Sequence, residues 1–221
     1  MVATMAIELS LAAWTLWRYK LTEATKLITA TLFFLALFQV SEYFVCTGSA
    51  GNDATWSRIG FAAISVLPPL GIHLLHVIAG KSRKLVPLAY ATMAVFIVYF
   101  LTAKGAFFGY QCNGNYVIYQ IAMHWGGWYT AYYYGWLALS IGLGIRWANE
   151  LMAQGKKMKT KLNAVRGLII GWLLFILPTI VVGQLKPETQ RAIPSVMCGF
   201  AVLFALVLGF YVLPRVGKHK A

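Results

Sequence analysis

The stretch "IPSVMCGFAVLFALVLGFYVLP", residues 193–214, is a run of 22 residues without a charged side chain. A helix rises about 1.5 Å per residue, so a run of this length crosses the roughly 30 Å hydrocarbon layer of a bilayer. An α-helix also satisfies its own backbone hydrogen bonds, which a hydrocarbon environment requires. This stretch therefore predicts a transmembrane helix.

The rest of the chain has the same character. Its 221 residues are 60% hydrophobic and 11% charged, too apolar for one water-soluble core. We predict an all-α polytopic membrane protein, with residues 1–221 forming a single seven-helix transmembrane domain. No basic region precedes the first apolar stretch and no cleavage site ends it, so we expect the first helix to remain as an anchor. The predicted helices are 2–17, 25–46, 56–79, 86–108, 116–146, 164–185 and 193–214.

Basic residues, which give the chain a net charge of +13, are concentrated in alternate links between the predicted helices. In a soluble protein this charge would suggest nucleic acid, but here the alternation follows the positive-inside rule. We expect a multi-pass protein of the cell membrane, N-terminus outside and C-terminus cytoplasmic, that contacts anionic lipid and binds no nucleic acid. The fifteen cytoplasmic residues are Arg18, Lys20, Lys26, Lys81, Arg83, Lys84, Arg146, Lys156, Lys157, Lys159, Lys161, Arg166, Arg215, Lys218 and Lys220. The four outer residues are Arg58, Lys104, Lys186 and Arg191.

The three cysteines differ in their predicted positions. Cys46 closes the second predicted helix and Cys112 lies in the link after the fourth, so the topology places both at the outer face, where disulfides persist. We predict a Cys46–Cys112 disulfide. The alternative is two unpaired thiols, because sequence alone fixes no distance. Cys198, inside the last predicted helix, is expected to be a small apolar core residue.

Ionisable and polar residues inside the predicted helices indicate a pocket. Such groups are costly in a membrane and usually face the bundle interior or a water-filled cavity. At about 1.5 Å per residue, those in helices 1, 2, 4 and 5 all fall in the outer third of the bundle. We predict an outer-facing ligand pocket formed by Glu8, Gln39, Glu42, Lys104, Gln120, His124, Trp128 and Gln184.

Two alternatives to this pocket stay open. The same residues could form a structural network that satisfies itself and locks the helices together. Lys104 could also extend to the lipid headgroups, which would leave the cluster acidic. A run of rings around it, residues 125–136, suits packing, or an apolar or aromatic ligand beside a polar cavity.

A second pair of ionisable residues, His73 and His76, lies near the cytoplasmic end of the third predicted helix. The pair lacks the third or fourth ligand that zinc normally takes, and haem would need an axial residue on a facing helix. We therefore assign no metal, and the cofactor stays unknown. Retinal is excluded in its usual arrangement, since the last helix has no lysine. Pro68, Pro69 and Pro178 are expected to kink their helices.

Three segments support a family resemblance: "FQVSEYF" (38–44), "WSRIGFAAISVLPPLGIHLLHVIAG" (56–80) and the closing stretch quoted above. Together with seven N-out helices, they are similar to the seven-transmembrane sensor region at the N-terminus of some bacterial histidine kinases. The resemblance implies a membrane region that senses a signal and passes it to an attached output domain; it implies no catalytic residues. The sequence continues only about seven residues beyond the last helix, so we expect no kinase domain and an output through a separate partner.

Three classes of function fit this layout. The first is a sensor or ligand-binding module for a small molecule or lipid, signalling to a membrane or cytoplasmic protein. The second is an accessory or structural subunit of a membrane complex. The third is a metal-dependent lipid hydrolase using Glu42, His124, His73 and His76, which is disfavoured because the histidines lie at different depths. Transport is less favoured, since no inverted repeat is visible.

Overall fold

The computed structural model describes residues 1–48, 53–114, 116–186, 189 and 192–220, and for Asp53, Met123 and His124 it describes the backbone alone. Seven helical rods follow one another in these residues, and a β-hairpin lies between the fifth helix and the sixth. The helices are α1 (Val2–Arg18), α2 (Glu23–Thr47), α3 (Asp53–Ser65), α4 (Leu67–Ala79), α5 (Val86–Thr102), α6 (Met123–Ala153), α7 (Lys159–Leu185), α8 (Ile193–Leu206) and α9 (Leu213–Val216). A π-helical segment, Val207–Val212, joins α8 to α9, and α3 and α4 form one interrupted rod. The strands are β1 (Phe107–Asn113) and β2 (Tyr116–Ile121).

Four helices in the described residues are long and apolar enough to cross a membrane: Glu23–Thr47, Ala54–Ala79, Lys156–Leu185 and Ile193–Val216. Large apolar side chains are exposed on the bundle surface. Such a surface is favourable in contact with lipid hydrocarbon and unfavourable in contact with water. Val98 on α5, for example, is 59% exposed. The protein is therefore mostly helical, and its long apolar helices support the predicted membrane location.

Ion pairs and backbone bonds hold together one end of the bundle, which we call the basic end. Arg83 donates two hydrogen bonds to Glu23, and Lys81 and Arg146 both donate to Glu150. The C-terminal tail pairs with the first link through main-chain bonds. The segments of the basic end are 18–23, 80–85, 150–161 and 215–220.

The opposite end, which we call the hairpin end, differs from the sequence prediction. The predicted helix 86–108 ends at Thr102, and the predicted helix 116–146 begins at Met123. Between them β1 and β2 form an antiparallel pair. Both segments are rich in aromatic residues and β2 also in β-branched residues, and both kinds favour strands. Gly114 adopts a left-handed conformation (φ +53°) in the turn that joins them. The prediction extended the helices because apolar composition alone does not distinguish a strand from a helix.

The predicted disulfide is present at the hairpin end. Cys46 near the end of α2 is bonded to Cys112 in β1, and their Cα atoms lie 5.8 Å apart. Cys198 is buried and unbonded, as predicted. The bridge fixes the hairpin to α2.

Adjacent prolines interrupt the third predicted helix at the expected place. Because proline has no N–H, Pro69 leaves the carbonyl of Ser65 without its helical donor. The Tyr132 hydroxyl of α6 donates to that carbonyl at 2.6 Å. The Ser65 hydroxyl also lies 3.3 Å from the Tyr129 hydroxyl. The junction between α3 and α4 is therefore held by two tyrosines of α6.

Arg58 on α3 stabilises the C-terminus of α5. Its guanidinium donates to the carbonyls of Phe100, Leu101 and Ala103 at 3.0, 3.1 and 2.7 Å. The last carbonyls of a helix lack intrahelical donors, and a cation also complements the negative end of the helix dipole. The contact fixes the position of α5 beside α3 at the hairpin end.

Candidate functional site

Three of the eight predicted pocket residues are buried at the hairpin end. Glu8 is 0% exposed, Gln39 2% and Glu42 1%. Gln39 and Glu42 share one face of α2, and α1, which carries Glu8, packs against α2 and α8. The structure therefore brings these three side chains into the bundle interior.

Four other predicted pocket residues lie at the surface. Lys104 lies in the turn after α5, Gln120 on β2, Trp128 on α6 and Gln184 near the end of α7, and all four are exposed. Lys104 and Gln120 were predicted on helices, and the turn and strand that replace those helices direct them outward. These four side chains do not join the buried three. The side chain of the eighth residue, His124, lies outside the described part of the structure.

Several buried polar atoms at the hairpin end have no hydrogen-bond partner among the described residues. They are both carboxyl oxygens of Glu8, Nε2 of Gln39, Oε1 of Glu42 and the hydroxyl of Tyr119. An unsatisfied buried group typically costs about 1–3 kcal/mol. A network that satisfied itself would not leave these atoms unpartnered, so the structural alternative does not account for them.

Glu42 is connected to both α8 and the hairpin. The Ser195 hydroxyl bonds its carboxyl group and accepts a hydrogen bond from the Val117 N–H at 2.9 Å. The Tyr119 hydroxyl and the Cys198 thiol both lie within electrostatic range of Glu42. The buried acid thus lies at the junction of α2, β2 and α8.

A cavity of about 220 Å³ lies between α3, β2, α6 and α8. We call it the ring cavity, because five aromatic rings line it. Aliphatic side chains of Ile64, Ile193 and Met197 complete much of the wall. No charged side chain lines the cavity in the described part of the chain. The site is therefore apolar and concave, as small-molecule pockets generally are.

The five rings form a continuous arc along the cavity wall. The ring centroids of Tyr119 and Phe61 lie 5.0 Å apart, and those of Phe61 and Tyr129 lie 5.9 Å apart. The arc continues from Tyr129 to Tyr133 at 6.0 Å and from Tyr133 to Tyr134 at 5.9 Å. These separations are typical of favourable aromatic pairs. The arc links the hairpin, α3 and α6 around one space.

A smaller cavity of about 30 Å³ lies deeper in the bundle, among α2, α4, α6, α7 and α8. It shares Tyr133 and Met197 with the ring cavity. Those two side chains therefore separate the two spaces.

The hydroxyl groups of the ring cavity differ in their bonding. The Tyr134 hydroxyl donates to Sδ of Met197 at 3.7 Å, and the Tyr129 hydroxyl bonds Ser65. The Tyr119 hydroxyl has no partner among the described residues, although Tyr119 is only 7% exposed. One free polar group in an apolar wall can orient a ligand.

The two histidines of α4 have structural partners near the basic end. His73 lies 3.3 Å from Glu23 through Nε2 and 3.2 Å from the Tyr90 hydroxyl through Nδ1. His76 packs edge-on against Trp147. In the described residues, no group of three His, Cys, Asp or Glu side chains lies close enough to hold a metal ion.

None of the eight predicted pocket residues is among the described residues that line the ring cavity, although sequence reasoning named a run of rings that contributes to it. It singled out the ring-rich run 125–136 but not Phe61 or Tyr119. Tyr119 was assigned to a helix, where its direction could not be inferred. The useful signal was the β-branched and aromatic composition of "YVIYQI", residues 116–121, which favours a strand.

No family model matches the chain, and no curated protein matches it. The resemblance to the sensor region of histidine kinases stays a prediction.

Proposed function

We propose that the protein is a membrane-embedded sensor that binds a small molecule in the ring cavity and signals to a separate membrane or cytoplasmic partner at its basic end. The observation that carries the proposal is the cavity of about 220 Å³ walled by aromatic rings. An unpartnered tyrosine hydroxyl in that wall supplies a polar contact. A pocket of this composition is the usual form of a small-molecule site.

The proposed sensor is a multi-pass protein of the cell membrane with seven transmembrane helices. The four long apolar helices support this arrangement. The 17-residue helices α1 and α5 and the 31-residue, ring-rich α6 would complete it. With fifteen of nineteen basic residues on one side, the N-terminus would lie outside and the C-terminus inside. The ring cavity would then face outward.

The helix α6 offers a route from the cavity to the basic end. Its first turns contribute Tyr129 and Tyr133 to the cavity, and its last turn carries Glu150. Next to these rings, Tyr132 donates a hydrogen bond to the Ser65 carbonyl at the α3–α4 junction. A ligand that moves the rings of α6 would therefore act on both this junction and the basic end.

Indole, a small aromatic probe, tests binding to the protein in lipid nanodiscs. Gly126 lines the ring cavity, and a Cβ there would meet no described atom within 4 Å, so Gly126→Leu should fill the space without a clash. Free indole at ten times its Kd should raise the free energy of unfolding of the wild-type protein by about 1.4 kcal/mol. We expect its Tm to rise by roughly 3–5 °C, and that of Gly126→Leu to stay unchanged.

Gly127→Leu is the matched control. Gly127 also has no described atom within 4 Å of a built Cβ, but it does not line the cavity. Its response to indole should equal that of the wild type. Thr130→Phe fills the same cavity from the next turn and provides a second blocking variant. An equal response in all variants would place indole in the lipid or elsewhere and would contradict the proposal.

Hydrogen exchange tests the coupling to the basic end. Indole should change amide exchange at the α3–α4 junction and in the link 154–158 of the wild-type protein, but not of Gly126→Leu. Probe binding without any change at the basic end would rule out the sensor role. It would favour a structural subunit with an occupied cavity.

A further inference from the structure

The ring cavity has an electrostatic environment that selects for positive charge. Its wall presents five aromatic rings, and the faces of such rings carry negative potential that attracts cations. In the described part of the chain no lysine, arginine or histidine lines the cavity to compete with a cationic ligand. Ring-walled spaces of this kind suit quaternary or tertiary ammonium groups.

Glu42 supplies a carboxyl group behind the ring arc. Tyr119, at one end of the arc, packs against Phe38 of α2 with ring centroids 6.5 Å apart. Phe38 lies one helical turn from Glu42, and the Tyr119 hydroxyl is within electrostatic range of the Glu42 carboxyl. The acid therefore lies close to the cavity but outside its wall.

No lysine, arginine or histidine side chain pairs with the Glu42 carboxyl in the described residues, and the Met1 ammonium acts on it through space. One of its oxygens accepts no hydrogen bond, and the side chain is 1% exposed. An acid buried in a membrane normally pairs with another group or marks a ligand or ion site. A cation in the ring cavity would provide a further counter-charge.

We propose that the ligand of the ring cavity is a small organic cation with an ammonium head, held by the ring arc and by the nearby Glu42 carboxyl group. This inference rests on the proposed function, because it takes the ring cavity as the ligand site. The unpartnered Tyr119 hydroxyl, which lines the cavity, would accept a hydrogen bond from a polar group of the ligand.

Choline and its neutral carbon analogue dimethylbutanol, in which carbon replaces the nitrogen, test the inference by calorimetry on the wild-type protein in nanodiscs. The two probes share one shape and differ in charge. Choline should bind at least about tenfold more tightly. This comparison needs no variant to fold.

Variants assign the selectivity to the proposed groups. Gly126→Leu should abolish choline binding, whereas Gly127→Leu should not change it. Glu42→Gln should weaken choline binding by about tenfold without affecting dimethylbutanol. Glu23→Gln, which removes an exposed acid at the basic end, should change neither affinity.

The outcomes separate this inference from the proposed function. Equal affinities for the two probes, both lost in Gly126→Leu, would overturn the cationic ligand and leave the ring cavity as a binding site. Indole binding in the absence of choline binding would likewise overturn the cationic ligand and leave the ring cavity as a binding site. Choline binding that persists in Gly126→Leu would place the cation elsewhere and refute the inference, and failure of indole as well would refute both proposals.

Discussion

At the basic end Glu23 contacts Arg83 and His73, and Glu150 contacts Lys81 and Arg146, whereas Glu8 and Glu42 at the hairpin end contact no cationic side chain in the described residues. The paired acids are partly exposed, and the unpaired acids are buried. Each arrangement has a different physical consequence.

Exposed ion pairs contribute little to stability, because water already solvates both charges. Buried, unpartnered acids oppose folding, because the membrane interior solvates them poorly. The hairpin end therefore retains groups that stability alone does not explain. This is the reason to look for a ligand site there rather than at the basic end.

The largest expected effect comes from the covalent bond of the hairpin end. Replacing both Cys46 and Cys112 with Ser removes a cross-link between residues 66 positions apart. A loop of this size predicts a loss of about 4 kcal/mol, or a fall in Tm of roughly 10 °C. Thermal unfolding with and without reductant measures it. Reductant should lower the Tm of the wild type and have no effect on the double variant, and equal Tm values would contradict the prediction.

Opposite effects are expected from two matched acid substitutions. Both Glu8 carboxyl oxygens are unpartnered among the described residues, so Glu8→Met should raise the free energy of unfolding by about 2 kcal/mol. Glu23→Met removes the bidentate pair with Arg83 and should lower it by about 0.5 kcal/mol. Tm values of the two variants test the comparison directly. Destabilisation by Glu8→Met would show that this acid has a partner.

A smaller effect is expected at the junction of α3 and α4. Pro69 has no N–H to donate to the Ser65 carbonyl, and the Tyr132 hydroxyl donates to it instead. Tyr132→Phe removes this donor and should lower the free energy of unfolding by about 1 kcal/mol. Tyr134→Phe is the control on the same helix, since it loses only a 3.7 Å contact to sulfur. Thermal unfolding should show a lower Tm for Tyr132→Phe alone. Equal Tm values would mean that the junction does not depend on α6.

The smallest effect is expected at Glu150, which lies beyond the predicted membrane span. The hydrogen bond from Lys81, and next the one from Arg146, hold the pKa of its carboxyl below the ordinary value. A lowered pKa contributes stability above the unfolded-state value, and the contribution is lost as pH falls through the folded-state value. Glu150→Gln should therefore have a slightly lower Tm than the wild type at neutral pH. The difference should disappear in acid, and a difference that grows in acid would contradict the assignment.

Sequence reasoning succeeded where the membrane imposes the constraint. The predicted helices 25–46 and 193–214 correspond to α2 and to the rod from α8 to α9 within a few residues. The Cys46–Cys112 disulfide was predicted because alternate links place both cysteines on one side. Apolar composition failed between residues 103 and 122, where it fits strand and helix equally. Lys104 and Gln120 are exposed because they lie in a turn and a strand, whereas the prediction placed both on buried helix faces.

The sequence by itself determined that the chain forms apolar helices, that its basic links alternate and that two cysteines share one face. These features can be predicted from a linear sequence, because the hydrocarbon thickness sets the length of an apolar helix and the position of basic residues sets the direction of each link. Only the tertiary structure showed that Phe61, Tyr119 and the rings of α6 surround one cavity, and that Glu42 lies behind it. Those residues come from separate elements, so their meeting depends on helix rotation, on the proline break and on the hairpin, none of which periodicity specifies.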